Sequence, residues 1–188
     1  MQQLSKKFLA ILLTLCMLMS FAPVGVFAAE AGAEVVEQQL MLGDDLSMHF
    51  YTKAENASTA DISVGGIVRE SYSIDQMTAG ENGYDFSVNL AAAEMTEEIV
   101  LTVRDGANEI LKKTSSVQDY ARELLENNYT DETKAMVKEL LNYGAKAQLY
   151  FGYKTDMLVN AGLTDEQQAL VKFQAGENGS VGTSGQNV

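Results

Sequence analysis

The 188-residue chain carries 26 acidic against 13 basic residues, a formal net charge of −13, with one histidine, one cysteine and no tryptophan. A surface that negative repels phosphate backbones and acidic lipid headgroups, which argues against nucleic acid and anionic membranes as partners. One thiol cannot form an internal disulfide, and a single thiol with a single histidine is too small a ligand set for zinc.

The chain opens "MQQLSKKFLAILLTLCMLMSFAPVGVFAAE". Lys6 and Lys7 precede an apolar run from Phe8 to Met19, Pro23 and Gly25 break it, and Val26-Phe27-Ala28 offers small residues at −3 and −1. Those three parts specify a secretory signal peptide over 1–28. Cys16 sits within the apolar run and follows Leu15, not the small residue a lipoprotein box requires, so it is expected to leave with the signal. Losing Lys6 and Lys7 leaves 11 basic against 26 acidic residues, a net of −15. No later stretch approaches the ~20 apolar residues of a spanning helix, so no membrane insertion is expected after cleavage. Disulfides are common in exported proteins. Without one, packing alone must hold this chain, which fits a Gram-positive style of export.

Over 29–115 the hydrophobic pattern has period two. "VVEQQLML", "LSMHFYTK", "ADISVG", "GIVRESYSI", "YDFSVNL" and "EIVLTVRDGANEILKK", which holds two strands around Asp105-Gly106-Ala107-Asn108, give seven short strands. Asp-Gly is a strong hairpin signal because both residues readily accept positive φ. Seven strands broken by glycine-rich turns predict an antiparallel immunoglobulin-like β-sandwich, without the tryptophan and cysteine pair of antibody domains.

From Ser116 the period becomes helical, so the fold class is α+β, with a helical hairpin module and short third helix over 116–174. Ser116 caps a helix whose Val117, Tyr120, Ala121 and Leu124 share one face, with Asp119 placed to reach back in a capping box. Thr130 caps a second helix, with Asp131 and Glu132 in its first turn and Gly152 at its end. Thr164 and Gln167 start a third helix that ends near Gln174. The segment 175–188 has no apolar periodicity and reads as a flexible tail or the opening of a further β-repeat.

At 100° per residue, Val137, Leu140, Leu141, Gly144, Ala147, Gln148 and Phe151 form one arc of the second helix. Gly144 and Ala147 at its centre would let another backbone approach, which predicts burial of Gly144, Ala147 and Phe151 against a neighbouring element. Met136, Tyr143 and Tyr150 form a bordering stripe. Two readings of the tyrosines stay open: a core boundary with wet hydroxyls, or an exposed strip, with Tyr143, Tyr150 and Tyr153, for a glycan or a host or cell-surface protein.

Catalytic signals are sparse. His49 could serve a Ser–His–Asp relay, but no Gly-x-Ser-x-Gly elbow accompanies it, and a lone histidine on a strand more often fills its open face. Asp44 with Asp45, and Asp105 with Asn108 and Glu109, could offer oxygens to Ca²⁺; neither spacing is that of an EF-hand, and turns explain both. No cofactor is expected.

The stretch "YARELLENNYTDETKAMVKELLNYGAKAQLYFGYKTDMLVNAGL" resembles modules of large exported proteins of anaerobic Gram-positive bacteria, gut Clostridia among them. The resemblance rests on Tyr120, Ala121, Leu141 to Ala145, Ala147, Gln148, Tyr150, Phe151, Tyr153, Thr155, Asp156 and Leu158. Lys154 stands where those segments carry asparagine. "VKFQAGENGSVG" resembles the start of a β-repeat of bacterial surface adhesins. The resemblance implies a non-enzymatic secreted or cell-surface module that is adhesive, glycan-binding or structural. The alternative is an accessory or degenerate domain of a secreted carbohydrate-active enzyme.

Overall fold

The computed structural model describes residues 32–43 and 45–168. The signal peptide with Cys16, Asp44, the third helix beyond Gln168 and the segment 175–188 lie outside the described residues.

Seven strands form two antiparallel sheets: β1 Ala33–Leu42, β2 Leu46–Ala54 and β5 Tyr84–Leu90 in one, β4 Ile67–Ser73, β3 Thr59–Val64, β6 Ile99–Asp105 and β7 Asn108–Ser115 in the other. Together they make a β-sandwich-like unit. Period-two burial explains why: Met48 and Phe50 of β2, Phe86 and Val88 of β5, Ile62 and Val64 of β3, and Ile99, Leu101 and Val103 of β6 are fully or almost fully buried. A strand exposes alternate side chains, so these positions fill the space between the sheets. Tyr72 of β4 laces one edge. Its hydroxyl donates to the Ser87 carbonyl of β5 at 2.5 Å and accepts the Ser87 N–H at 3.1 Å. At the other edge the Gln38 amide of β1 donates to Ser115 Oγ at 2.8 Å.

The β6–β7 hairpin falls on Gly106-Ala107, with Asp105 paired to Asn108. Only Gly106 of these has positive φ, +57°. Asp105 stays extended because its backbone belongs to the ladder, which corrects the expectation that both Asp105 and Gly106 take positive φ.

Three helices follow: α1 Val117–Glu126, α2 Asp131–Phe151 and the single turn α3 Asp165–Gln168. The caps lie where the sequence puts them. Ser116 Oγ accepts the Asp119 N–H at 3.0 Å, Thr130 Oγ1 accepts that of Thr133 at 3.3 Å, and Thr164 with Gln167 forms a reciprocal box. Asp119 reaches back to the Ser116 hydroxyl at 2.7 Å instead of its backbone. At the far end of α2, Gly152 takes the left-handed conformation and the Tyr153 N–H bonds the Gln148 carbonyl at 2.8 Å, a Schellman closure. Val117, Tyr120, Ala121 and Leu124 of α1 and Val137, Leu141 and Ala145 of α2 join the same core as the strands.

The face of α2 that faces inward differs from the predicted one. Its buried residues are Val137, Leu141, Asn142, Gly144, Ala145 and Gln148. At 100° per residue this arc is turned by about 60° from the predicted one. Gly144 is buried as expected, but its neighbours are Met95 and Ala92, in the connection between β5 and β6, and Val159. Ala147 is only half-buried, and Phe151, expected in the core, is exposed. The rotation follows from two amides. Gln148 Oε1 accepts the Val159 N–H at 2.8 Å and its Nε2 donates to the Met157 carbonyl at 3.1 Å. Asn142 Nδ2 donates to the Gln167 carbonyl and its Oδ1 accepts from Asn160, both at 2.8 Å. Polar side chains that satisfy loop backbone belong inside.

Candidate functional site: the outward face of the long helix

With the inner arc of α2 filled by the 91–97 connection and the 157–167 segment, the opposite face carries Tyr143, Ala147, Tyr150 and Phe151. Their spacing of i, i+4, i+7 and i+8 puts them on one strip. Tyr150 is 84% exposed, Phe151 72% and Tyr143 64%. The rings of Tyr150 and Phe151 meet edge to face, centroids 4.9 Å apart at 90°. That pairing holds each ring for the other without covering either. Tyr143 and Tyr150 lie one heptad apart, about 10.5 Å along the axis at 1.5 Å per residue. Leu149 and Met157 are exposed near this end of the helix.

Tyr153 differs from the other two candidates. Its hydroxyl donates to Glu97, a buried carboxylate of the β5–β6 connection that also pairs with Lys154 Nζ at 2.7 Å. The hydrogen bond to Glu97, with some burial, raises the Tyr153 phenol to about 12. For Glu97 burial pushes upward, but the hydrogen bonds from Lys154 and Tyr153 outweigh it and hold the carboxyl below its usual 4.5. Tyr153 is thus an edge residue anchored to the sandwich. Lys154 has φ +44°, a left-handed conformation that asparagine adopts more readily than lysine.

The described Ca²⁺ candidates, Asp45 and the group Asp105, Asn108 and Glu109, lie in two separate turns. Asp45 lies in the β1–β2 turn, where its carboxylate accepts from Asn89 at 3.4 Å. Asp105, Asn108 and Glu109 lie in the β6–β7 hairpin at the opposite end of the sandwich. Among the described residues no group of three or more carboxylate, histidine or cysteine side chains could hold a metal ion. No described helix is long and apolar enough to cross a membrane.

Two features are legible in the sequence only in part or not at all. A cleft of about 320 Å³ lies between α1, α2 and the 159–167 segment, with Leu125, Leu141 and Leu163 on its floor and Arg122, Lys134 and Lys138 on its rim. Its residues come from three elements far apart in sequence, and no local pattern announces it. The second is on β2, where His49 is held between Ser47 and Asp85. The signal available for it was Ser-x-His on a strand, which places both side chains on one face.

No family model matches the chain, and neither a curated protein nor a solved structure is significantly similar to it.

Proposed function

We propose that the chain is a secreted binding module, an immunoglobulin-like sandwich bearing a helical hairpin, whose outward strip on α2 docks a neutral extended glycan. The observation that carries this reading is the Tyr150–Phe151 pair, two large rings left in water on a helix whose other face is already packed. Covering a large apolar side chain is worth about 1.5–3 kcal/mol, so a ligand laid along the strip recovers free energy that folding leaves unused. Tyrosines about 10.5 Å apart along the helix suit a chain of linked pyranoses, with every second sugar stacked on a ring and the hydroxyls free for hydrogen bonds. The acidic surface favours an uncharged glycan over an anionic one. The strand order β1-β2-β5 opposite β4-β3-β6-β7 supports the immunoglobulin-like assignment. Export rests on the signal at 1–28.

The test is an array of neutral glycans probed with the exported chain, followed by titration calorimetry on Tyr143→Ala, Tyr150→Ala and Phe151→Ala. Each substitution should weaken binding at least tenfold while the melting curve stays within ~0.5 kcal/mol of the parent, as exposed positions do. Unchanged affinity in Tyr150→Ala and Phe151→Ala would remove the strip as the docking surface. A dark array, with a cell-surface protein captured through the same residues, would replace the glycan by a protein.

A further inference from the structure

The outer face of the β1-β2-β5 sheet holds a second arrangement, independent of the aromatic strip. Alternation on β2 sends Met48 and Phe50 into the core and leaves Ser47, His49 and Tyr51 on the outside. The antiparallel register sets Ser47 opposite Asn89, His49 opposite Ser87 and Tyr51 opposite Asp85 of β5. Across this face Ser47 Oγ lies 3.0 Å from His49 Nε2, and His49 Nδ1 lies 2.9 and 3.1 Å from the two Asp85 oxygens. The His49 side chain is 14% exposed and that of Asp85 42%. An ionised carboxylate only accepts, so in the neutral ring Nδ1 carries the proton and Nε2 is left to accept the Ser47 hydroxyl. Tyr51 stacks beside the ring, centroids 6.3 Å apart.

We propose that Ser47 is an acyl-accepting nucleophile, with His49 as its general base, Asp85 as the residue that fixes the tautomer, and Asn89 as the oxyanion donor. The two ring nitrogens have the partners that a serine–histidine–aspartate relay requires. The backbone of β2 is paired on both sides, to β1 and to β5, so its amides are committed to the ladders. A donor for the developing oxyanion must therefore come from a side chain, and a single asparagine amide can fill that role. Asn89 is the cross-strand neighbour of Ser47, and its described contact is the 3.4 Å one to Asp45, long enough to be given up.

The reaction balances without a co-reactant other than water. Ser47 Oγ attacks an ester carbonyl as its proton passes to His49 Nε2. The tetrahedral intermediate expels the alcohol, which takes that proton, and leaves acyl-Ser47. Water, deprotonated by Nε2, then releases the carboxylic acid and restores the hydroxyl, with Asp85 ionised throughout. Because the site lies on an open sheet face, its substrate class is an O-acyl ester projecting from a larger polymer.

The probes are a fluorophosphonate and p-nitrophenyl acetate, applied to the intact exported chain. The expected result is one phosphonyl adduct per chain, located on Ser47 by mass spectrometry, and ester hydrolysis above the buffer rate. Ser47→Ala and His49→Ala should lose both. Asp85→Asn and Asn89→Ala should lower hydrolysis tenfold or more, with melting curves like the parent's since all four positions face outward. An unmodified Ser47 in the parent chain overturns the proposal whatever the variants do, as does hydrolysis that survives Ser47→Ala. Glycan binding by Tyr150 is unaffected by either outcome.

Discussion

Gln148 clamps Val159 to the long helix. Its side-chain carbonyl accepts the Val159 N–H at 2.8 Å, its amide donates to the Met157 carbonyl, and the residue is fully buried. The side chain pairs with the segment after the helix much as a neighbouring strand would. Gln148→Leu keeps the volume but leaves a buried donor and a carbonyl without partners. Each such group costs ~1–3 kcal/mol, so the variant should lose about 2–4 kcal/mol in chemical denaturation. A loss under ~1 kcal/mol would mean that water enters and substitutes for the amide.

Gly144 should resist even the smallest enlargement. An added Cβ would lie 2.5 Å from Met95 Sδ, 2.9 Å from Val159 Cγ1 and 3.2 Å from the Ala92 carbonyl. Helix propensity favours Gly144→Ala by ~1 kcal/mol, whereas overpacking costs ~1–3 kcal/mol. The carbonyl and the packed valine cannot both move aside, so overpacking wins and the melting temperature falls. A higher melting temperature would show that α2 does not sit this close to the 91–97 connection.

The cluster around Glu97 gives the stability curve two limbs. The folded Glu97 carboxyl lies below its usual 4.5, so its contribution is present above that pH and disappears as pH falls through the folded value. Tyr153 is raised from 10 to about 12; its contribution is complete below pH 10 and is lost as pH rises toward 12. Glu97→Gln should flatten the acid limb relative to the parent and weaken the alkaline one, while Tyr153→Phe should weaken the alkaline limb and leave the part due to Tyr120, whose phenol is also raised by burial. Asp61, held low by Ser71 and Arg104 despite some burial, supplies a separate acid limb that both variants keep. Parallel acid limbs in the parent and Glu97→Gln would contradict the assignment.

Two turn glycines should differ in cost. Gly106 has φ +57° and nothing within 4 Å of a would-be Cβ, so Gly106→Val costs backbone strain alone, upward of ~1 kcal/mol. Gly83 has φ +93°, and a Cβ there would overlap the Thr52 carbonyl. Gly83→Ala should therefore cost more than Gly106→Ala, read as the difference in denaturation midpoints at constant slope.

The strands were legible because alternation over Met48, Phe50, Phe86 and Val88 is a local property, and the caps at Ser116, Thr130 and Gly152 are local as well. The orientation of α2 was not. Hydrophobicity places Phe151 in the core and leaves Asn142 outside, and only the tertiary position of the Gln167 carbonyl and of Asn160 reverses that order. Gly144 was recognised as a contact point but its particular neighbours were not, since the 91–97 connection has no periodicity to mark it as a packing surface. The exposure of Tyr143 and Tyr150, one of two readings the sequence left open, depends on the same rotation. His49 was noticed as a lone residue; Asp85, 36 positions later, meets it only through the register of β2 and β5.

The hydroxyl of Tyr72 has a consequence for neighbours of the same kind. By occupying both the N–H and the C=O of Ser87, it ends the sheet at β5 in the middle of that strand's open edge. A second molecule approaching edge to edge finds the central pair of hydrogen-bonding groups taken and cannot extend the ladder in register. One phenol oxygen thus guards against fibre growth at high concentration, and Tyr72→Phe would leave the fold's interior intact while reopening that edge to self-association.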